Sequence, residues 1–95
     1  MEHIPGYHDQ KDQLVARLKR IEGQVRGLQR LVDEDTYCID VLTQVAAVTK
    51  ALQGVGLQLL DQHLQHCVAG ASADATRTEE LVHEATKAVE RLLRT

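Results

Sequence analysis

Three side chains that bind soft metal ions lie on one face of the longest apolar stretch of the sequence. Cys38 and Cys67 bound that stretch, and His63 follows Cys38 by 25 residues. Residues 38–67 contain no proline and repeat Val, Leu and Ala with helical spacing, which predicts one long helix. At about 100° per residue, Cys38 and His63 differ by roughly 20° in direction, and Cys67 lies one turn further on. Two thiolates and one imidazole favour Cu(I), which accepts three ligands, over Zn(II), Ni(II) or Co(II).

One straight helix cannot bring these three side chains to a single ion. A rise of about 1.5 Å per residue separates Cys38 from His63 by about 37 Å along the axis. Two copies packed antiparallel about a twofold axis near residues 50–53 would place Cys38 of one chain beside His63 and Cys67 of the other. The alternative is that the cysteines pack as small apolar groups and that the histidine is an ordinary polar residue.

Small residues lie near the proposed crossing point of the two helices. They would allow close approach, although the glycines could instead simply be tolerated in the helix at a cost of up to about 1 kcal/mol each. These residues are Ala46, Ala47, Ala51, Gly54 and Gly56.

The remaining sequence predicts a small all-α protein. Apolar residues recur with helical spacing over about residues 9–32, 38–70 and 76–94, and residues 1–8 are expected to be a flexible N-terminal segment. We therefore expect residues 9–95 to form a single helical domain. With two Tyr, no Phe and no Trp, its core is small for a monomer, so we expect oligomerisation.

Local signals define the ends of the predicted helices. Asp35 or Thr36 is the expected N-cap of the central helix, which places Cys38 in its first turn, where the helix dipole favours the thiolate. Gly70 is the expected end of that helix. A capping box from Thr76 to Glu79 is expected to begin the third helix.

Positive charge is concentrated in the first helix. The chain carries a net charge of −3, yet residues 11–30 hold six basic and two acidic side chains, so this segment carries +4 and the remainder −7. Such asymmetry indicates a surface that faces phosphates, with a solvated helix face as the alternative. Gly23 and Gly27 would leave the helix backbone between these charges lightly covered. The candidate phosphate contacts in this helix are Arg17, Lys19, Arg20, Arg26 and Arg30.

Several other classes of protein are disfavoured by the sequence. There is no apolar run long enough to span a membrane and no basic-then-apolar N-terminal region, so we expect a cytoplasmic protein without a membrane partner. In that compartment the two cysteines are expected to be thiols or ligands. The absence of a phosphate-binding loop or of paired catalytic groups argues against an enzyme.

The sequence resembles a known family over about residues 8–95. The runs RLKRIEGQVRGLQRLVDEDTYCIDVLTQVAAVTKAL and LLDQHLQHC closely resemble the copper-sensitive operon repressors (CsoR), within the CsoR/RcnR family of bacterial metal-responsive repressors. The order of Cys38, His63 and Cys67 matches the copper pattern of that family. Its nickel and cobalt branch has His in place of the last Cys and uses an N-terminal His, for which His3 is a candidate here.

The resemblance implies an assembly and a mechanism. It implies an antiparallel four-helix-bundle dimer, associated into a dimer-of-dimers tetramer, that binds operator double-stranded DNA without metal and releases it on binding Cu(I). A copper chaperone is a further candidate partner. The resemblance also implies that Tyr37 and Glu80 are hydrogen-bonding partners behind the ligands, with Glu79 and Glu84 as alternatives to Glu80.

Two features of the family pattern leave alternatives open. The family has a basic residue in the central helix where this chain has Gly54, so Lys50 is the nearest candidate for a DNA contact there. The two cysteines would also suit a repressor that senses persulfides or electrophiles, and the three ligands would suit a copper-buffering protein. The basic first helix disfavours a buffer, and His63 disfavours a pure thiol sensor.

Overall fold

The chain is built from three α-helices and one short 3-10 helix. The computed structural model describes residues 6–71 and 75–94, and all secondary structure in those ranges is helical. A 3-10 helix at His8–Gln10 precedes α1 (Lys11–Asp33), α2 (Cys38–Ala71) and α3 (Ala75–Leu93). The predicted all-α class and the three predicted helices are therefore confirmed.

The residues form two compact units, which meet within α2. One unit is Asp12–Val55, and the other contains the described residues on either side of that range. The interpretation of residues 9–95 as one domain stays a prediction. The same is true of the flexibility of residues 1–8, of which residues 1–5, including His3, lie outside the described residues.

Unit 12–55 is an antiparallel helical hairpin with a tight turn between α1 and α2. Asp35 has a positive φ of 58°. Around it, the N–H of Thr36 donates to the carbonyl of Leu31 at 3.0 Å, and the N–H of Asp35 donates to the carbonyl of Val32 at 3.1 Å. This is a Schellman motif, which normally has glycine at the left-handed position.

The predicted N-cap of α2 was wrong by one or two residues. The carbonyl of Tyr37 accepts from the N–H groups of Asp40 and Val41, at 3.0 and 3.2 Å, so Tyr37 occupies the N-cap position rather than Asp35 or Thr36. The physical reason is that both predicted residues are already used to end α1. Cys38 consequently becomes the first residue of α2.

The core of the hairpin consists of four aliphatic side chains spaced by seven residues on each helix. Leu14 and Ile21 of α1 and Val48 and Val55 of α2 are all buried. A spacing of seven residues keeps each pair on one face of its helix, so α1 packs against α2 along a single seam.

In the other unit, α3 packs against the second half of α2. Leu81 is the buried core residue of α3. Near the opposite end of α3, a Cβ at Gly56 would lie 2.8 Å from Cδ1 of Leu92, so the glycine makes room for that side chain. Gly56 thus has a packing role within its own unit. α2 ends one residue after Gly70, its predicted end. α3 begins one residue before Thr76, so the predicted capping residue lies inside the first turn of that helix.

Many large apolar side chains are exposed in the single chain. They lie on both hairpin helices and on α3: Val15, Leu18, Val25, Val32, Ile39, Leu42, Val45, Leu52, Leu57, Val82 and Leu93.

Candidate metal centre and DNA interface

His63 lies between a carboxylate and a thiol. Its Nε2 is 2.9 Å from Oε1 of Glu84 in α3. Within α2, His63 precedes Cys67 by one helical turn. The Sγ of Cys67 is 3.6 Å from Nε2 and 3.9 Å from Nδ1 of the imidazole. The register of α3 against α2 therefore brings a carboxylate from α3 to two side chains that lie one turn apart in α2.

The contact with Glu84 indicates which ring nitrogen carries the proton. An ionised carboxylate can only accept hydrogen bonds, so Nε2 of His63 is the donor. In the neutral imidazole, Nδ1 then has a free lone pair, which is the form that a metal ligand requires. A carboxylate behind a histidine ligand fixes the orientation of the ring and raises its basicity.

The separation between Cys67 and His63 is in the range of two ligands of one metal ion, but the ring is not yet turned toward a shared ion. Bonds of about 2.3 Å to sulfur and about 2.0 Å to nitrogen, meeting at roughly 120°, put the two donor atoms about 3.7 Å apart. Sγ lies at similar distances from both ring nitrogens, 3.9 Å from Nδ1 and 3.6 Å from Nε2, so the imidazole would have to rotate for its Nδ1 lone pair to meet an ion held by Cys67. Cys67 is half-buried, whereas the His63 side chain remains 44% exposed, so further ligands have access to the site.

Cys38, the third predicted ligand, is exposed at the first position of α2. Tyr37, which precedes it, is 69% exposed. Within the part of the chain that the structure describes, no group of three or more His, Cys, Asp or Glu side chains is arranged to hold a metal ion.

Glu80, the predicted acidic partner, points to a different neighbour. Its Oε2 is 3.4 Å from Nη1 of Arg77, while Glu84 takes the position next to His63. Sequence reasoning left Glu79, Glu80 and Glu84 as alternatives because the register of α3 across the preceding loop has no local signal. The role of Glu80 behind the ligands stays a prediction.

A contact that the sequence did not reveal covers the turn of α2 that carries His63. A Cβ at Gly6 would lie 2.8 Å from the carbonyl oxygen of Gln62 and 2.9 Å from Cα of His63. Further along, Nε2 of Gln58 donates to Oε1 of Gln10 at 2.9 Å. Residues 6–10 thus lie along α2, with Gly6 directly on its backbone, and the signal for this in the sequence is that residue 6 is glycine.

The candidate DNA contacts differ in how they are held. Arg17 is half-buried, and its Nη2 lies 3.0 Å from the position of a Cβ at Gly54. Arg26 is paired with Glu22 one turn earlier in α1. The remaining candidates are exposed: Lys19, Arg20, Arg30 and Lys50. The absence of a side chain at Gly54 therefore leaves room for the guanidinium of Arg17, a role that the sequence alone did not indicate.

None of the described helices combines the length and the apolar character that crossing a bilayer requires.

Comparison with known proteins supports a regulatory role. Residues 10–93 match the family model described as metal-sensitive transcriptional repressor. The chain is 53% identical over 90 residues to the copper-sensing transcriptional repressor RicR of Mycobacterium tuberculosis, covering 94% of each chain. It is 56% identical over 62 residues to the copper-sensing transcriptional repressor CsoR of Bacillus subtilis, covering 65% of this chain and 61% of that one.

Two solved structures share the fold. One is the copper-sensing repressor CsoR with Cu(I) from Geobacillus thermodenitrificans NG80-2, with a TM-score of 0.76 and 42% identity, covering 94% of this chain and 92% of that one. The other is the nickel-responsive transcriptional regulator InrS, with a TM-score of 0.74 and 41% identity, covering 86% and 91%. The chain belongs to the metal-sensitive transcriptional repressor family, among relatives named as copper-sensing repressors.

Proposed function

We propose that this protein is a Cu(I)-responsive transcriptional repressor whose apoprotein binds operator DNA. Cu(I) binds between two chains, to Cys38 of one and to His63 and Cys67 of the other, and the DNA is released. The observation that carries the proposal is the grouping of His63 with the thiol of Cys67 and the carboxylate of Glu84. The regulated genes would confer copper resistance, and the protein would act in the cytoplasm.

The donor set supports Cu(I) as the sensed ion. Two thiolates and one imidazole are soft or borderline ligands, and Cu(I) accepts three of them, whereas Ni(II) prefers more nitrogen or oxygen donors. Cys67 supplies sulfur at the position where the nickel branch of the resembled family has histidine. The relatives named as copper-sensing repressors agree with this choice of metal.

The spacing of the ligands along α2 supports a site shared by two chains. Cys38 is the first residue of α2 and is exposed, so its thiol is accessible to a second copy. The exposed aliphatic side chains of α1 and α2 provide the apolar surface that two such copies would bury, as in a four-helix bundle. We propose that this dimer pairs again into a tetramer, which doubles the DNA-binding surface.

The basic residues of α1 would hold the apoprotein on DNA mainly through phosphates. Arginine and lysine contacts to phosphates position a protein on the duplex without reading its sequence. The sequence has no Phe or Trp and only two Tyr that could stack on bases. Each neutralised phosphate releases about 0.9 of a counterion, so apoprotein binding should weaken steeply with salt. The proposed contacts are Arg17, Lys19, Arg20, Arg26, Arg30 and Lys50.

Coupling between the two ligands must be reciprocal. If Cu(I) lowers the affinity for DNA, then DNA lowers the affinity for Cu(I) by the same factor. The hydrogen bond from His63 to Glu84 is the route by which α3 would respond when the imidazole turns toward the metal, with Tyr37 as an additional partner near Cys38.

Mixing two inactive variants tests the shared site. Cys38→Ala and Cys67→Ala should each lose tight Cu(I) binding, because each lacks one ligand at every site. A mixture that exchanges chains should regain one complete site per heterodimer, measured by competition with a Cu(I) chelator. Tight binding by either variant alone at one ion per protomer would show that the site is not shared in this way.

A mobility-shift titration of operator DNA tests the regulatory half of the proposal. The apoprotein should retard the DNA, and one Cu(I) per protomer should release it. If the protein bound the DNA equally well with and without Cu(I), it would be a metal-binding protein that does not regulate transcription in response to copper.

A thiol sensor is the second candidate, because Cys38 is exposed at the N-terminal end of α2. An exposed thiol at that end is accessible to a persulfide or an electrophile. His63→Ala separates the two functions. It should abolish copper-driven release of DNA under the proposed function, and it should leave release by an electrophile intact under the alternative.

A further inference from the structure

The guanidinium of Arg17 lies against bare backbone of α2 at Gly54. Its Nη2 is 3.0 Å from the position that a Cβ at residue 54 would occupy. No other glycine of this unit has such a neighbour: a Cβ at Gly23 would have nothing within 4 Å, and one at Gly27 would have only Nη2 of Arg30, at 4.0 Å. Arg17 is also half-buried, whereas the other proposed DNA contacts of α1 are exposed.

A side chain at residue 54 would occupy the space that Arg17 uses. Alanine would require the guanidinium to move by a few tenths of an ångström, and a longer side chain would displace it completely. The displaced group is the end of a flexible side chain, so the helices themselves can keep their positions. Substitution should therefore change where Arg17 points more than it changes the fold.

Glycine is otherwise an unfavourable residue for this position. Gly54 lies in the middle of a 34-residue helix, where alanine would give a more stable helix. Because φ at Gly54 is not positive, the backbone conformation does not require glycine. The contact with Arg17 is the feature in this unit that a side chain at residue 54 would change.

We propose that Gly54 is a positioning residue for DNA binding, which holds the guanidinium of Arg17 ready for a phosphate. The proposal rests on the phosphate contact of Arg17 in the proposed function. A long side chain that is already ordered in the free protein loses less conformational entropy on binding. Arginine presents a planar pair of N–H donors to phosphate oxygens, so the orientation of the guanidinium affects the strength of the contact.

A double-mutant cycle on the full-length apoprotein tests the proposal. The variants are Gly54→Met, Arg17→Ala and the combination, and fluorescence anisotropy measures affinity for labelled double-stranded DNA at one salt concentration. Gly54→Met should weaken binding by about tenfold, the loss expected for one hydrogen bond to a charged group. In the Arg17→Ala background it should cause no further loss. Gly54→Ala should give a smaller loss than Gly54→Met.

The cycle separates positioning from damage to the fold. If Gly54→Met disturbed the helices or the assembly, it would weaken DNA binding equally with and without Arg17, and that result would overturn the proposal. Unchanged binding by Gly54→Met alongside weak binding by Arg17→Ala would also overturn it, while leaving the proposed function in place. Cu(I) affinity should be the same in all variants.

The NMR signal of the Arg17 Nε–H group tests, in the absence of DNA, whether Gly54 determines the position of the guanidinium. In the free protein it should be resolved and protected from exchange, and Gly54→Met should shift it and remove the protection. If Arg17→Ala left DNA affinity unchanged, the phosphate contact itself would be wrong and the positioning role would fail with it. An Arg17 signal that Gly54→Met does not alter would show that the guanidinium does not depend on Gly54.

Discussion

The two units of the chain hold their functional side chains by different means. Near His63, tertiary contacts bring groups together: Glu84 comes from α3, and Gly6 from the segment before α1. In the hairpin of residues 12–55, most basic residues extend from α1 into solvent, and the ion pair between Arg26 and Glu22 lies within one helix. A metal ligand needs a fixed direction, whereas a contact to a phosphate tolerates a mobile side chain.

This difference gives the two units different sensitivities to mutation. Changes near His63 should act through packing and orientation, so their effects should be large and specific to position. Changes in the hairpin should act mainly through charge, so their effects should be smaller and should depend on salt. Arg17 is the exception under the role proposed for Gly54, because its guanidinium lies against the backbone at that residue.

The largest expected effect comes from the carboxylate behind His63. Glu84→Gln should lower Cu(I) affinity by about 10–100-fold, as is typical when an outer hydrogen-bonding partner of a ligand is lost. Glu90→Gln is the matched control, because Glu90 is exposed in the same helix and makes the same change in charge. Competition with a Cu(I) chelator measures both. Equal losses in the two variants would mean that the charge of α3, and not the contact with His63, supports the metal.

An alanine substitution at one glycine in each unit compares how closely the two units are packed. Gly56→Ala should destabilise the protein by about 1 kcal/mol, because overpacking against Leu92 at 2.8 Å costs more than the gain in helix propensity. Gly23→Ala should stabilise it by about 0.5–1 kcal/mol, since nothing lies within 4 Å. Urea denaturation of both variants measures the difference.

A second substitution tests whether the contact with Leu92 causes the loss of stability in Gly56→Ala. Gly56→Ala should cost less stability in a protein that already carries Leu92→Ala than it does in the wild-type protein. If the two substitutions are additive, contact with Leu92 does not explain the effect of Gly56→Ala.

The helices could be predicted from the sequence because each depends on local periodicity. The 3.6-residue pattern gave all three helices with their ends within about two residues, which is the usual uncertainty of helix boundaries. The turn between α1 and α2 was less predictable, since Asp35 occupies a position where glycine is the usual signal. As a result, Asp35 and Thr36 were interpreted as the cap of the following helix.

The candidate site was only partly predictable, for a different reason. Side-chain type and spacing selected Cys38, His63 and Cys67, and these assignments stay predictions. The partner of His63 depends on how α3 aligns with α2, which is set by packing at Leu81 and Leu92 rather than by any pattern near residue 84. The contact of Gly6 with the backbone at residues 62–63 is likewise a tertiary feature.

A smaller effect is expected from the ion pair in the hairpin. Glu22→Gln should strengthen binding of the apoprotein to DNA by about twofold, because an exposed i,i+4 pair contributes roughly 0.3–0.5 kcal/mol and its loss frees Arg26 for a phosphate. Glu90→Gln in α3 makes the same change in net charge and is the control. Anisotropy titrations at two salt concentrations should show the gain shrinking as salt rises. A gain of equal size in Glu90→Gln would assign the effect to net charge alone.

The smallest expected effect concerns the turn that sets the start of α2. Asp35→Gly should stabilise the protein by about 0.5 kcal/mol, because glycine adopts the positive φ at this position without the steric cost that a side chain pays. The gain is limited by two opposing terms: glycine has more conformational entropy to lose on folding, and aspartate tolerates this region better than most residues.

Urea denaturation measures the change, with Glu34→Gly as the control, since Glu34 precedes Asp35 in the same turn without a positive φ. Because the turn fixes Tyr37 and Cys38 through the backbone, and the substitution keeps that backbone, Cu(I) affinity should not change. Lower stability of Asp35→Gly would show that the carboxylate contributes more to the turn than its conformation costs.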